Sequence, residues 1–164
     1  MIVSTTRTIA SPLQKKDFKA ILEMYLEPDS NTFVRPLLNK TEDFYHSFLE
    51  GRCNQNKDSI GFWVVRSQES DELIGTINLN YMDAIKGHHI GCHLRKQFWG
   101  LGYASELLSE LLEYGLNVKK LKQIYGLVEK EHDVSKKMLL KIGLKYHKDF
   151  ELDGCLLEQY LYQV

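Results

Sequence analysis

Gly100 and Gly102 stand one residue apart directly before a run with helical periodicity, and His88, His89 and His93 crowd the stretch just upstream. Two chemistries follow. Glycines at a helix N-terminus let the backbone turn tightly and let an oxyanion reach bare N–H groups with no Cβ in the way. Histidine supplies an imidazole that titrates near neutrality, suited to taking a proton from an amine. Alternation along a strand puts His89 and His93 on one face, opposite Ile90, Cys92 and Leu94. Either histidine alone is equally an ordinary surface or hydrogen-bonded residue. The pair lacks a third ligand at a convincing spacing, so no metal is expected. Cys92 reads as a buried strand thiol rather than a nucleophile.

These residues need a strand, a turn and a helix in that order. Residues 88–94 form the strand, residues 95–102 the polar turn, and residues 103–118 the helix. Ala104, Leu107, Leu108, Leu111, Leu112, Gly115 and Val118 line one face of that helix. Upstream, residues 7–13 read as a first strand that Pro12 either ends or confines to an edge. Phe18, Ile21, Leu22 and Tyr25 make the apolar stripe of a helix stopped before Pro28. Residues 27–40 are loop, and Thr41 caps a second helix carrying Phe44, Tyr45, Phe48 and Leu49. Residues 60–66 and 73–81 form a hairpin of strands. Downstream come a strand at 123–128, a helix capped by Asp133 and ended at Gly143, and a hairpin of 145–152 and 155–162 about Asp153-Gly154. The order β α α β β β α β α β β predicts one mixed α/β domain over residues 1–164. A largely antiparallel sheet should carry helices on both faces.

Taken alone, the glycine pair leaves its ligand open. A dinucleotide fingerprint wants a third Gly or Ala where Ser105 stands, near the start of a βαβ unit. A phosphate loop of the Gly-Lys-Ser/Thr kind has no match in the chain. A turn that only packs strand against helix also fits. The neighbouring residues narrow this. Gln97, Gly100 and Gly102 follow the pattern Gln/Arg-x-x-Gly-x-Gly/Ala, which resembles the acetyl-CoA motif of the GCN5-related N-acetyltransferases. Ile90-Gly91, Leu94, Trp99-Gly100, Gly102-Tyr103-Ala104 and Glu106 are similar to the RimJ/RimL-like branch, which acetylates ribosomal-protein N-termini. The block from Val134 to Leu144 resembles the family's xSxxxLEKxGF ending, and Leu73-Ile74-Gly75-Thr76-Ile77 its third strand.

The resemblance implies a six- to seven-stranded sheet and acetyl-CoA as acyl donor. Its pyrophosphate would sit on the backbone of Gly100, Leu101, Gly102, Tyr103 and Ala104. Gln97 and Trp99 would stand beside it. Cys92, His93 and Leu94 would offer backbone to the pantetheine amides like an added strand, and His132 and Ser135 complete the cofactor-binding set. It also implies direct attack by a primary amine, from a protein N-terminus or a small molecule, on the thioester. His89 stands where the branch often has Glu, and His132 where the family has Asn. A Tyr used as thiolate acid would fall near Leu139 and is absent. His89, His93 and Ser135 are therefore the candidate catalytic groups. The same departures raise the alternative of a CoA-binding sensor or regulatory module without catalysis.

Composition agrees with a small-molecule donor. Lys plus Arg is 21 and Asp plus Glu 22, a net charge of −1, with no global pull toward nucleic acid or an anionic membrane. No signal peptide or membrane-length apolar run is visible. Three cysteines without a CxxC spacing read as free thiols in a reducing cytoplasm, not a disulfide or zinc framework. The expected assembly is a monomer or homodimer.

Overall fold

The computed structural model describes residues 3–55 and 60–164. Eight strands form one sheet in the order β1-β2-β3-β4-β5-β6-β8-β7. They are β1 (Val3–Ser4), β2 (Thr8–Pro12), β3 (Gly61–Ser67), β4 (Leu73–Met82), β5 (Gly87–Leu94), β6 (Gln123–Glu129), β7 (Lys145–Leu152) and β8 (Cys155–Gln163). Every neighbouring pair is antiparallel except β5 and β6. The predicted six to seven strands become eight because β1, two residues of edge pairing with β2, is too short to show a period.

Four helices cover the two faces. α1 (Phe18–Tyr25) and α2 (Glu42–Gln55) bury Phe18, Ile21, Met24, Tyr45 and Leu49 against Phe62 and Val64 of β3. Opposite them, α3 (Tyr103–Glu113) and α4 (Asp133–Lys141) bury Leu107, Leu108, Leu111 and Leu139 against Trp63, Ile77, Leu79, Ile90 and Ile124. Among the described residues no helix is long and apolar enough to cross a membrane.

Two predicted boundaries shift. The α-helix expected through Val118 ends at Glu113 and continues as a π turn, Tyr114–Val118, closed by Lys119 N–H to the Tyr114 carbonyl at 3.1 Å. A Cβ on Gly115 would collide with the Ile124 side chain of β6, so the π turn packs on that strand through a glycine. Asp133, expected as a cap, is instead the first residue of α4. His132 takes the cap position with a non-helical backbone, φ −88° and ψ 71°, and no side-chain cap bond.

Candidate active site

β5 is the hinge of the site. It pairs with β4 along its whole length, from Gly87 opposite Met82 to Leu94 opposite Gly75. With β6 it pairs only at His89–Tyr125 and Ile90–Gly126, after which the two strands part. The Arg95 N–H donates to the Ile74 carbonyl at 2.9 Å, which sets the phase of β5. Alternation then turns the N–H and C=O groups of Cys92 and Leu94 away from β4, toward the gap. The Trp99 indole N–H donates to the Leu94 carbonyl at 2.8 Å. Part of the backbone edge expected to receive a ligand is thus already satisfied by Trp99. The Cys92 groups and the Leu94 N–H remain on the open side.

At the gap's end the chain turns into α3. Gly100 and Gly102 have φ of +72° and +85°, left-handed values that only glycine adopts without cost. A Cβ on Gly100 would meet nothing within 4 Å, so the requirement there is backbone conformation and not space. The first helical bond of α3 is Glu106 N–H to the Gly102 carbonyl, at 3.1 Å. The N–H groups of Gly100 to Ser105 find no acceptor among the described residues. Six unmet donors thus stand at and before the positive end of a helix, where an anion such as a diphosphate is favoured. Leu101 is exposed, Tyr103 packs edge-on against Phe98, and Ala104 is half-buried. Gln97 directs its amide to Glu72 at 2.6 Å, bracing the turn against the β3–β4 hairpin.

Arg7, read from the sequence only as the start of a strand, lies behind this turn. Its Nη2 donates to the Leu101 carbonyl at 3.0 Å and to Glu106 Oε1 at 2.6 Å, and its Nε to Glu106 Oε2 at 3.2 Å. The guanidinium also stacks 3.7 Å from the centre of the Tyr103 ring.

The opposite face of β5 carries His89 and His93, beside Asn80 and Thr76 of β4 and under α1 and α2. His93 stacks on Tyr25, ring centres 5.4 Å apart, and its Nε2 lies 3.0 Å from both the hydroxyl and the carbonyl oxygen of Ser30. A carbonyl only accepts, so the imidazole proton belongs on Nε2 and the lone pair on Nδ1. That Nδ1 is buried without a partner. Burial pushes the pKa of both His89 and His93 down to about 4, with the nearby Arg52 charge a further cause at His89. Both are neutral at pH 7, and His93 holds a loop. Burial thus makes both imidazoles weaker bases than the free side chain.

Stability should report this. The unfolded histidines keep the ordinary pKa of 6.5, so unfolding takes up protons below that pH. Stability present above pH 6.5 is therefore lost as pH falls toward about 4. Thermal unfolding of the wild type should show a falling Tm across that window, and His93→Gln should flatten the fall. An identical slope in the variant contradicts the assignment.

Residues 27–35 form a strap across the gap. On the β5 side Glu27 takes Arg95 at 2.8 Å and the Lys96 N–H at 3.3 Å, and Ser30 meets His93. On the far side Phe33 stacks on His132, ring centres 4.1 Å apart and planes within 9°, and Arg35 Nε reaches Glu129 Oε1 at 2.9 Å. Glu129 is a buried carboxylate at the end of β6, paired to a largely exposed cation. His132 Nε2 lies 3.3 Å from the Ser135 hydroxyl. Burial lowers the His132 pKa, while Glu129 and Asp133 work against that. The structure thus joins His132, Ser135 and Phe33 on one wall, and places His89 and His93 apart from them. Burial raises the Cys92 thiol to about 12, which leaves it inert.

Sequence comparison matches residues 7–145 to the acetyltransferase (GNAT) domain family. The uncharacterized N-acetyltransferase YoaA of Bacillus subtilis is 31% identical over 164 residues, 99% of this chain and 89% of its own length. The uncharacterized N-acetyltransferase p20 of Bacillus licheniformis is 31% identical over 121 residues, 71% of this chain; the match spans 64% of p20. In fold, the chain is similar to a spermidine N-acetyltransferase from Vibrio cholerae solved with CoA and spermine. There the TM-score is 0.77 at 16% identity, covering 97% of this chain and 96% of that one.

Proposed function

This chain belongs to the GNAT family and is an acetyltransferase, and we propose that it transfers the acetyl group of acetyl-CoA to a primary amine by direct attack in a ternary complex. One observation carries the donor assignment: the unmet N–H groups of Gly100 to Ser105 lie at the end of a gap lined by the open edge of β5. A diphosphate suits the first and an amide-bearing chain the second. In the reaction the amine nitrogen forms a bond to the thioester carbonyl carbon, the C–S bond breaks, and a proton passes to the leaving thiolate. The Cys92 or Leu94 N–H, on the open edge of β5, is the donor that would meet the developing oxyanion.

For the proton, the Ser135 hydroxyl beside His132 is the group that fits. His89 and His93 are neutral near pH 7 on the strap side of β5, and burial makes them weak bases, so they come second to Ser135 as proton carriers. Ser135→Ala should lower kcat about a hundredfold or more with the acetyl-CoA KM unchanged, the size expected for one positioned proton donor. A wild-type kcat removes Ser135 from the route.

The acceptor is a primary amine of a protein N-terminus, as the RimJ/RimL-like resemblance suggests, or of a small molecule. The test follows thiol release from acetyl-CoA with a chromogenic thiol reagent over spermidine, simple monoamines and unblocked peptides. Release with at least one of them is the expected result. CoA binding with no release for any amine would assign a non-catalytic CoA-binding module, and failure to bind CoA overturns the donor assignment.

A further inference from the structure

Arg7 has no place in the donor motif, yet it contacts the glycine turn from 94 to 99 residues away in sequence. Resting on the acyl-CoA reading above, we propose that Arg7 is a positioning residue for the donor's diphosphate, acting from behind the turn on Leu101 and Glu106. Two parts of its geometry serve different ends. In a trans peptide the C=O and the following N–H point in opposite directions. Fixing the Leu101 carbonyl on Nη2 at 3.0 Å therefore aims the Gly102 N–H the other way, into the cradle. Gly102, at φ +85°, has a glycine's backbone freedom, and this bond limits it.

The second part is electrostatic. Glu106 lies in the first turn of α3, where a carboxylate repels the anion that the six N–H groups attract. Arg7 takes both Glu106 oxygens, at 2.6 and 3.2 Å, and cancels that charge at the cradle's edge. The pair is about two-fifths exposed, so its own contribution to stability is small. Its effect should appear in donor binding.

Opposite signs from the two partners make the test sharp. Arg7→Ala should raise the KM of acetyl-CoA, and the Kd of CoA by calorimetry, about tenfold, with the amine KM and the kcat at saturating donor unchanged. Glu106→Gln should leave donor KM equal or lower, because it removes the repelling charge. Arg7→Ala/Glu106→Ala should recover part of the loss, and Arg7→Lys should fall between Arg7→Ala and the wild type. Two results overturn the proposal: a donor KM within twofold of wild type in Arg7→Ala, or equal rises in donor and amine KM together with a fall in Tm. Should Arg7→Ala not fold, an increased donor KM in Glu106→Gln overturns it alone. Wild type that fails to bind CoA overturns the donor reading itself, a result distinct from all of these.

Discussion

Gly102→Val should raise the KM of acetyl-CoA at least about tenfold, the largest effect of any single substitution in the turn. Gly102 has φ of +85°, and a left-handed backbone costs an L-residue roughly 1–2 kcal/mol, more for a β-branched one. Valine either bears that strain or swings the peptide back to negative φ. In the second case the N–H groups of Gly102 and Tyr103 no longer point where the others do. Turning these two donors away removes part of a donor set that consists of backbone alone. Gly51→Ala is the control. Gly51 lies within α2 where a Cβ meets nothing, so alanine there should raise Tm slightly and leave donor KM alone. Steady-state rates over a donor series check both. Equal KM for Gly102→Val and the wild type would rule out the turn as the donor site.

Asp17→Ala should lower stability by about 3–5 kcal/mol, enough to move Tm by roughly 10 °C in a domain of this size. Asp17 is 3% exposed and accepts from Arg66 Nη2 at 2.8 Å and from the Gln14 N–H at 3.0 Å, just before α1. Alanine leaves a three-quarters buried guanidinium without its carboxylate and a backbone donor without an acceptor. Breaking the nearby exposed pair Lys15–Glu50, 3.4 Å apart, should change Tm very little. Burial, not the count of ion pairs, decides between them. Thermal denaturation of Asp17→Ala beside Lys15→Ala checks the difference; equal shifts would contradict it.

The elements were legible in the sequence wherever their signal is local. β3, β4 and β5 are β-branched or alternating, α3 has a clean apolar stripe, and Asp153-Gly154 supplies the positive φ values of a tight hairpin, 50° and 75°. β1 was not legible, because two residues carry no period. The glycine turn was legible for the same local reason. Gln97, Trp99, Gly100 and Gly102 are neighbours in sequence, and their types alone describe a strand-to-helix turn. The strap was not. Glu27–Arg95, Phe33–His132 and Arg35–Glu129 join residues about seventy to a hundred positions apart, and no spacing rule reaches that far. Histidine shows the same limit from another side. The face of His89 and His93 follows from alternation, but their charge state follows from burial under α1, α2 and the strap, which only the folded chain supplies.

Mechanically, the parting of β5 from β6 divides the sheet into two plates joined along a seam of two residue pairs. One plate is β1 to β5 and the other β6, β8 and β7, with α3 and the strap as the braces between them. A bound chain bonded to the open edge of β5 lengthens the seam without any protein strand moving. The side-chain ties at Glu27–Arg95 on one plate and Arg35–Glu129 on the other then span a seam that the backbone itself barely closes.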